Sequence, residues 1–368
     1  MIVKKYIKFI SLILIAVGII WGGIYLWKTM NTPGSILNPQ INKQPDITDL
    51  SSKLKMVFDD KIFDYWINSK NNTIYYLGDS GQISKISASD TSQKGEIVNS
   101  QNINQLNKVM PSPDGAMAVA EFNYPKLPTF SIFDTATNAW QPLPPNIIAV
   151  AWSPDSKKLA YLENKDNTGR IAIYDIASKK TQEVIKMTQK DLGLSWVKND
   201  EMLFYETPSA NIATSLYSLN TTNKTIKPLI KDEYGLTVNW SLDGKFGIKL
   251  INTNRVPSSV LIDASGNELA SLSSLLLPPK CQILERAKIY CGIPKTIPGG
   301  IALPDDYYKN AVYFQDELYL IDLASGKASV IFNNRDNVLI DASRLTVNNS
   351  QLLFINRYDG KLYSLDLK

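Results

Sequence analysis

The chain of 368 residues contains no histidine. Histidine is the usual general base near neutral pH and the commonest metal ligand, so Ser-His-Asp and Cys-His catalysis and His-ligated zinc or iron are excluded. No Gly-x-Ser-x-Gly pentapeptide and no Asp-x-Asn/Asp-x-Asn/Asp-Gly calcium loop occurs. Metals held by carboxylates and carbonyls stay open in principle, but no catalytic residue, metal or cofactor is expected.

A basic surplus is missing from most of the chain as well. The formal charge of +4 is accounted for by residues 1–53, which hold six lysines against Asp46 and Asp49. The remainder is neutral. Nucleic-acid binding draws on a basic face that displaces phosphate counterions, so no nucleic-acid partner is expected.

Charge is absent altogether from residues 9–27, between Lys8 and Lys28. At about 1.5 Å per residue this stretch spans about 28 Å as a helix, close to the hydrocarbon thickness of a bilayer. It exceeds a signal-peptide core and ends in Trp27-Lys28-Thr29-Met30 rather than at a small-x-small cleavage site. Tyr25 and Trp27 sit where an aromatic belt belongs. The reading is a single uncleaved transmembrane helix over 9–27, with residues 1–8 cytoplasmic because Lys4, Lys5 and Lys8 precede it. The protein is thus expected in the cell membrane as a single-pass protein with everything after the helix exported. Residues 28–53 are polar, hold three prolines, and read as a flexible stalk.

What is abundant is a repeat. Its clearest copy runs Val150-Ala151-Trp152-Ser153-Pro154-Asp155-Ser156-Lys157-Lys158-Leu159-Ala160-Tyr161-Leu162, followed by a third alternating strand at 170–176. Residues matching Trp152 recur at Trp66, Pro111, Trp196, Trp240, near Cys281 and at Leu345, with gaps of 45, 41, 44, 44, 41 and 64. Several short strands per unit at this period predict an all-β, seven-bladed β-propeller over residues 54–368. The last copy ends at its third strand, 361–366. Residues 54–58 are the only strand-like stretch before the first anchor, and are expected to supply its outer strand and close the ring.

The stretch Trp152–Tyr161, with Pro111-Ser112-Pro113-Asp114-Gly115 and Trp240-Ser241-Leu242-Asp243-Gly244-Lys245, resembles the repeat of the TolB-like, WD-repeat-like propellers of bacteria. That resemblance implies an extracytoplasmic interaction platform; the same repeat also forms the lid domain of prolyl-oligopeptidase-type peptidases. The chain departs from TolB in showing seven copies and in having a membrane anchor where TolB carries an α/β domain. The expected function is a protein-interaction or cell-envelope scaffold. The alternative is a hydrolase, or a ligand-binding sensor, using carboxylates at the channel mouth.

Individual residues sort accordingly. Asp114, Asp155 and Asp243 suit turn positions after proline or leucine, and the repeated tryptophans suit packing between blades. Cys281 and Cys291 flank one hairpin with the turn centred on Arg286, which places them opposite each other at a separation a disulfide can span; free thiols are the competing reading. Residues 292–310 are the longest departure from the period. Long connections in compact domains are commonly functional. This one holds paired tyrosines and emerges on the same face as 123–128 and 207–211. Tyr124, Asp305, Asp306, Tyr307 and Tyr308 are the candidate partner-binding residues. The competing reading is that the insertion plugs the channel or pads a blade junction.

Overall fold

The computed structural model describes residues 54–367, apart from 92–93, 102, 104, 125–127, 166–167, 190, 285–287 and 335–337. The expected transmembrane helix at 9–27, the cytoplasmic residues and the stalk lie outside the described residues. Among the described residues no helix is long and apolar enough to cross a membrane.

Seven antiparallel four-stranded sheets make up the described residues. Six are consecutive in sequence, covering residues 62–99, 106–142, 147–187, 192–234, 237–272 and 281–332 (blades 1 to 6). Blade 7 takes three strands from 342–366 and its outer strand from Leu54–Met56, which pairs antiparallel with Lys361–Asp366 in the register Leu54↔Leu365. The pairing extends one step further through Val57 N–H to the Leu362 carbonyl (2.8 Å). The all-β, seven-bladed propeller read from the repeat is therefore the observed fold. Each anchor lies on or beside the innermost strand of its blade, and the 64-residue gap reflects residues 295–315, inserted between the second and third strands of blade 6.

Packing explains why seven units close. Apolar side chains alternate along each strand, so both faces of a sheet carry them. Each sheet then stacks on its two neighbours. Trp66, Leu77, Val109 and Phe133 fill the junction of blades 1 and 2, and Trp152, Leu159 and Val119 that of 2 and 3. The junction of blades 7 and 1 is filled by Leu353, Ile355 and Leu362 against Ile62, Tyr65 and Ile74. Burying a ring of this size contributes on the order of 1.5–3 kcal/mol per large side chain, so the termini are joined by core packing as well as by the three-residue strand.

The Ser-Pro-Asp turns behave as their composition dictates. In blade 3 the Ser153 hydroxyl donates to Asp155 (2.7 Å) and accepts from Lys158 N–H (2.9 Å), while Lys157 N–H donates to Asp155 (3.1 Å). The Ser153 and Lys157 bonds hold the Asp155 carboxyl below the usual carboxylate range. Ser112 and Asp114, and Ser241 and Asp243, repeat the arrangement. These turns join first to second strands, on the face opposite the insertion. Cys281 and Cys291 are directly paired across the first two strands of blade 6 and form a disulfide with a Cα–Cα separation of 4.2 Å.

Candidate functional site

Strand direction divides the loops into two faces. First strands begin, and second strands end, on the face that carries the insertion. A funnel of about 1000 Å³ opens there at the channel mouth. Its wall comes from the starts of innermost strands (Lys61, Asp64, Asn107, Lys108, Thr237, Asn239, Arg344) and from residues after second strands (Asp79, Tyr308, Tyr313, Arg357). A side pocket of about 350 Å³ runs between blades 4 and 5 and is lined by Leu194, Leu203, Leu216, Leu236 and Trp240. Lys108, Thr237 and Tyr308 line both cavities. Lys108 belongs to blade 2, so its side chain reaches across the channel.

The funnel wall holds four cations and two carboxylates. Asp64 is buried and paired with Arg344 at 2.8 Å. Burial pushes the Asp64 carboxyl up, against the pull of that guanidinium. Arg344 is fixed from behind, because its carbonyl accepts the Tyr65 hydroxyl at 2.7 Å. Desolvation, followed by the like charge of Arg344, pushes the Lys108 amine down, with Glu121 and Asp64 partly offsetting this.

The insertion is a strap across blades 4 to 7. Leu303, Tyr307, Val312 and Phe314 pack on Leu250 and Leu277. Asp305 accepts from Ala210 N–H of blade 4 (2.6 Å), and Asn252 of blade 5 donates to the Leu303 carbonyl (2.7 Å). Arg357 of blade 7 pins the far side. Its guanidinium lies 4.1 Å from the Tyr307 ring centre and 4.7 Å from that of Tyr313, pairs with Asp341 (2.7 Å), and donates to the Tyr307 carbonyl (3.1 Å) and Asn310 (2.8 Å). Beneath the strap Lys280 is fully buried between Asp316 (2.6 Å) and Asp341.

The sequence-predicted residues are thereby divided. Tyr307 is buried, Asp305 is held by Ala210, and Asp306 accepts from Ala302 N–H (2.7 Å) within the strap. Tyr308 faces the funnel and is 49% exposed; Tyr124, on the blade 2 loop of the same face, is 59% exposed. Lys61, Lys108, Arg344 and Arg357 escape sequence reasoning. The usable signal is position: residues opening an innermost strand, or closing a second one, surround the mouth once the blade register is known.

Exposed large apolar side chains are concentrated on this face. Tyr124, Ile212, Val256 and Tyr358 sit on or at the ends of connections between second and third strands. Val338 and Leu339 sit on a connection between blades, and Tyr234 ends the outer strand that leads into another. Ile297, Tyr308 and Tyr313 belong to the strap. Met56, Ile97 and Ile226 lie on outer strands, and among the described residues only Leu242 represents the opposite face.

Asp316 gives the strap a pH signature. Burial, with Asp341 adding to it, raises its carboxyl to about 6 in spite of Lys280. A carboxyl raised on folding adds stability below its unfolded value, and that contribution is lost as pH climbs through the folded value. Between pH 4 and pH 6.5 the Asp316 contribution should therefore fall by on the order of 2 kcal/mol. Asp316→Asn should flatten this part of the melting temperature–pH profile; a profile unchanged by the substitution would contradict it. The groups facing Asp316 are Lys280, Asp341 and the Ala342 N–H (2.7 Å).

No protein-family model and no curated protein matches the sequence. Solved structures do match. The chain is similar to an oligogalacturonate lyase from Vibrio parahaemolyticus at 12% identity and a TM-score of 0.60, covering 86% of this chain and 93% of that one. It is similar to the β-propeller domain of the trilobed protease from Pyrococcus furiosus at 14% identity and a TM-score of 0.57, covering 85% and 97%. A TolB of Agrobacterium tumefaciens overlays on 59% of this chain and 84% of its own length, at 15% identity and a TM-score of 0.42. Fold and site together define the class: a seven-bladed propeller whose channel mouth opens as a basic funnel beside a four-blade strap. The propeller resemblance carried by Trp152–Tyr161 holds at the level of the fold, which lyase and peptidase propellers share.

Proposed function

We propose that this protein is a membrane-anchored, exported propeller that serves as a protein-interaction scaffold in the cell envelope and receives its partner on the strap face. The concentration of exposed tyrosine and aliphatic side chains on that one face carries the reading, because tyrosine is enriched in protein interfaces and a face rich in exposed apolar groups is suited to association. The charge-free stretch 9–27, with its lysines on the N-terminal side, supports an anchored chain whose propeller lies outside the cytoplasm. Carboxylate catalysis at the mouth finds less support. Of its two carboxylates, Asp64 is committed to Arg344. Among the described residues no three His, Cys, Asp or Glu side chains cluster as metal ligands.

The test compares faces. A photo-crosslinking side chain placed at Tyr124, at Ile212 or at Leu242 of the full-length protein in its native membrane should give a discrete adduct from the first two sites and none from the third. Tyr358→Ala should weaken those adducts several-fold. Equal crosslinking from Leu242, or adducts indifferent to Tyr358, would remove the face assignment.

A further inference from the structure

We propose that the partner enters the funnel as an acidic protein segment, its carboxylates held at Lys108, Lys61 and Arg344 and one apolar side chain seated in the pocket between blades 4 and 5. This rests on the interaction reading above and names the partner's chemistry. Four cations against two carboxylates line the funnel, in a domain whose charges balance overall. Arg344 and Arg357 each have a carboxylate, Asp64 and Asp341. Lys61 and Lys108 make no ion pair with a described carboxylate. Glu121, opposite Lys108 across the strand pair, and Asp64 offset its charge only in part, and a cation beside a second cation in a walled site generates a positive potential that an incoming carboxylate relieves. After desolvation, the like charge of Arg344 is the second cause that lowers the Lys108 amine.

The side pocket decides between acidic macromolecules. It opens where Lys108, Thr237 and Tyr308 meet; Leu194, Leu203, Leu216, Leu236 and Trp240 form most of its wall, and Ser215 and Glu206, whose carboxylate accepts from Ser215 N–H (2.9 Å), add a polar corner. A carboxylated polysaccharide could match the lysines but carries no apolar side chain to lie on the leucines and Trp240 of this pocket of about 350 Å³. A peptide carries both groups a few ångströms apart, and an extended one advances about 3.3 Å per residue.

The experiment uses the full-length protein in detergent micelles. The probe is a fluorescein-labelled pentapeptide with phenylalanine between two glutamate pairs (EEFEE), read by anisotropy at low salt. It should bind at least ten-fold more tightly than KKFKK and at least five-fold more tightly than EESEE. Binding should weaken about ten-fold or more when salt is raised to a few hundred millimolar. Lys108→Gln and Lys61→Gln should each weaken it about ten-fold while leaving the melting temperature unchanged. Lys231→Gln, on the outer strand of blade 4, should have no effect. Indifference to charge, to the phenylalanine or to Lys108 overturns the proposal. So does tighter binding of an alginate oligomer with the same dependence on Lys108, which would make the ligand a polysaccharide. If the peptide fails while crosslinks from Tyr124 persist, only the acidic-segment inference falls; if those crosslinks are also lost, the scaffold reading falls with it.

Discussion

Replacing Lys280 with methionine is expected to lower the stability of the propeller by about 3–5 kcal/mol, a cost set by two carboxylates rather than by the lysine itself. Lys280 ends the short 3₁₀ turn Pro278–Lys280 and is fully buried. Its ammonium lies between Asp316 (2.6 Å) and Asp341, with the Phe314 ring centre at 5.2 Å and that of Tyr307 at 5.7 Å. Without it, among the described residues, Asp316 has no cation and Asp341 keeps only Arg357. Asp316, already raised to about 6, would take up a proton at neutral pH, and the strap would lose its shared anchor to blades 6 and 7. For a domain of this size the loss amounts to roughly 6–15 °C in melting temperature. The double variant Lys280→Met with Asp316→Leu should recover at least half of it, since replacing a buried pair by apolar groups is commonly close to neutral. A melting curve of Lys280→Met that overlays the parent would refute this account.

The strap shows where sequence reading stops. Its existence was legible: a 64-residue gap in a 41–45-residue period has to be an insertion, and the strand pattern placed it between second and third strands. The division of labour between Tyr307 and Tyr308 was not. Successive residues on a helix point about 100° apart, so on the single turn Asp305–Tyr308 one ring must go down and the other sideways. Rotation of that turn is held by Arg357, from the turn that follows a strand some fifty residues later. The same limit hides the funnel. Lys61, Lys108 and Arg344 come from blades 1, 2 and 7 and meet only because each opens or precedes an innermost strand. By contrast the blades themselves are encoded locally, by alternating apolar residues around turns whose Ser and Asp bond to their own backbone. Local chemistry is readable from one sequence; convergence of distant charges requires the ring.

The repeated turn also yields the sharpest single-residue expectation. Gly115, Ser156 and Gly244 hold the same position in the turns of blades 2, 3 and 5, and all three are left-handed, with φ of 68°, 61° and 63°. Backbone strain therefore predicts similar effects of side-chain changes at the three sites, but their neighbours differ. A Cβ on Gly115 would overlap the carbonyl of Ile67 in blade 1, where Asp114 also accepts from Ser69 N–H (3.0 Å). On Gly244 it would stop 3.0 Å from the Val197 oxygen, a contact a small shift can relieve. At Ser156 the side chain is accommodated, and its hydroxyl accepts from Asp114 N–H of blade 2 (3.0 Å). Gly115→Ala must push two blades apart or force the turn out of shape, and is expected to cost more than about 3 kcal/mol. Gly244→Ala should cost about 1 kcal/mol, the left-handed penalty alone, and Ser156→Ala about 1 kcal/mol for the lost inter-blade hydrogen bond. Urea unfolding of the three variants measures this directly. Equal midpoints for Gly115→Ala and Gly244→Ala would mean that the blade 1–blade 2 contact is looser than the ring described here, and with it the positions of Lys61 and Lys108 at the mouth.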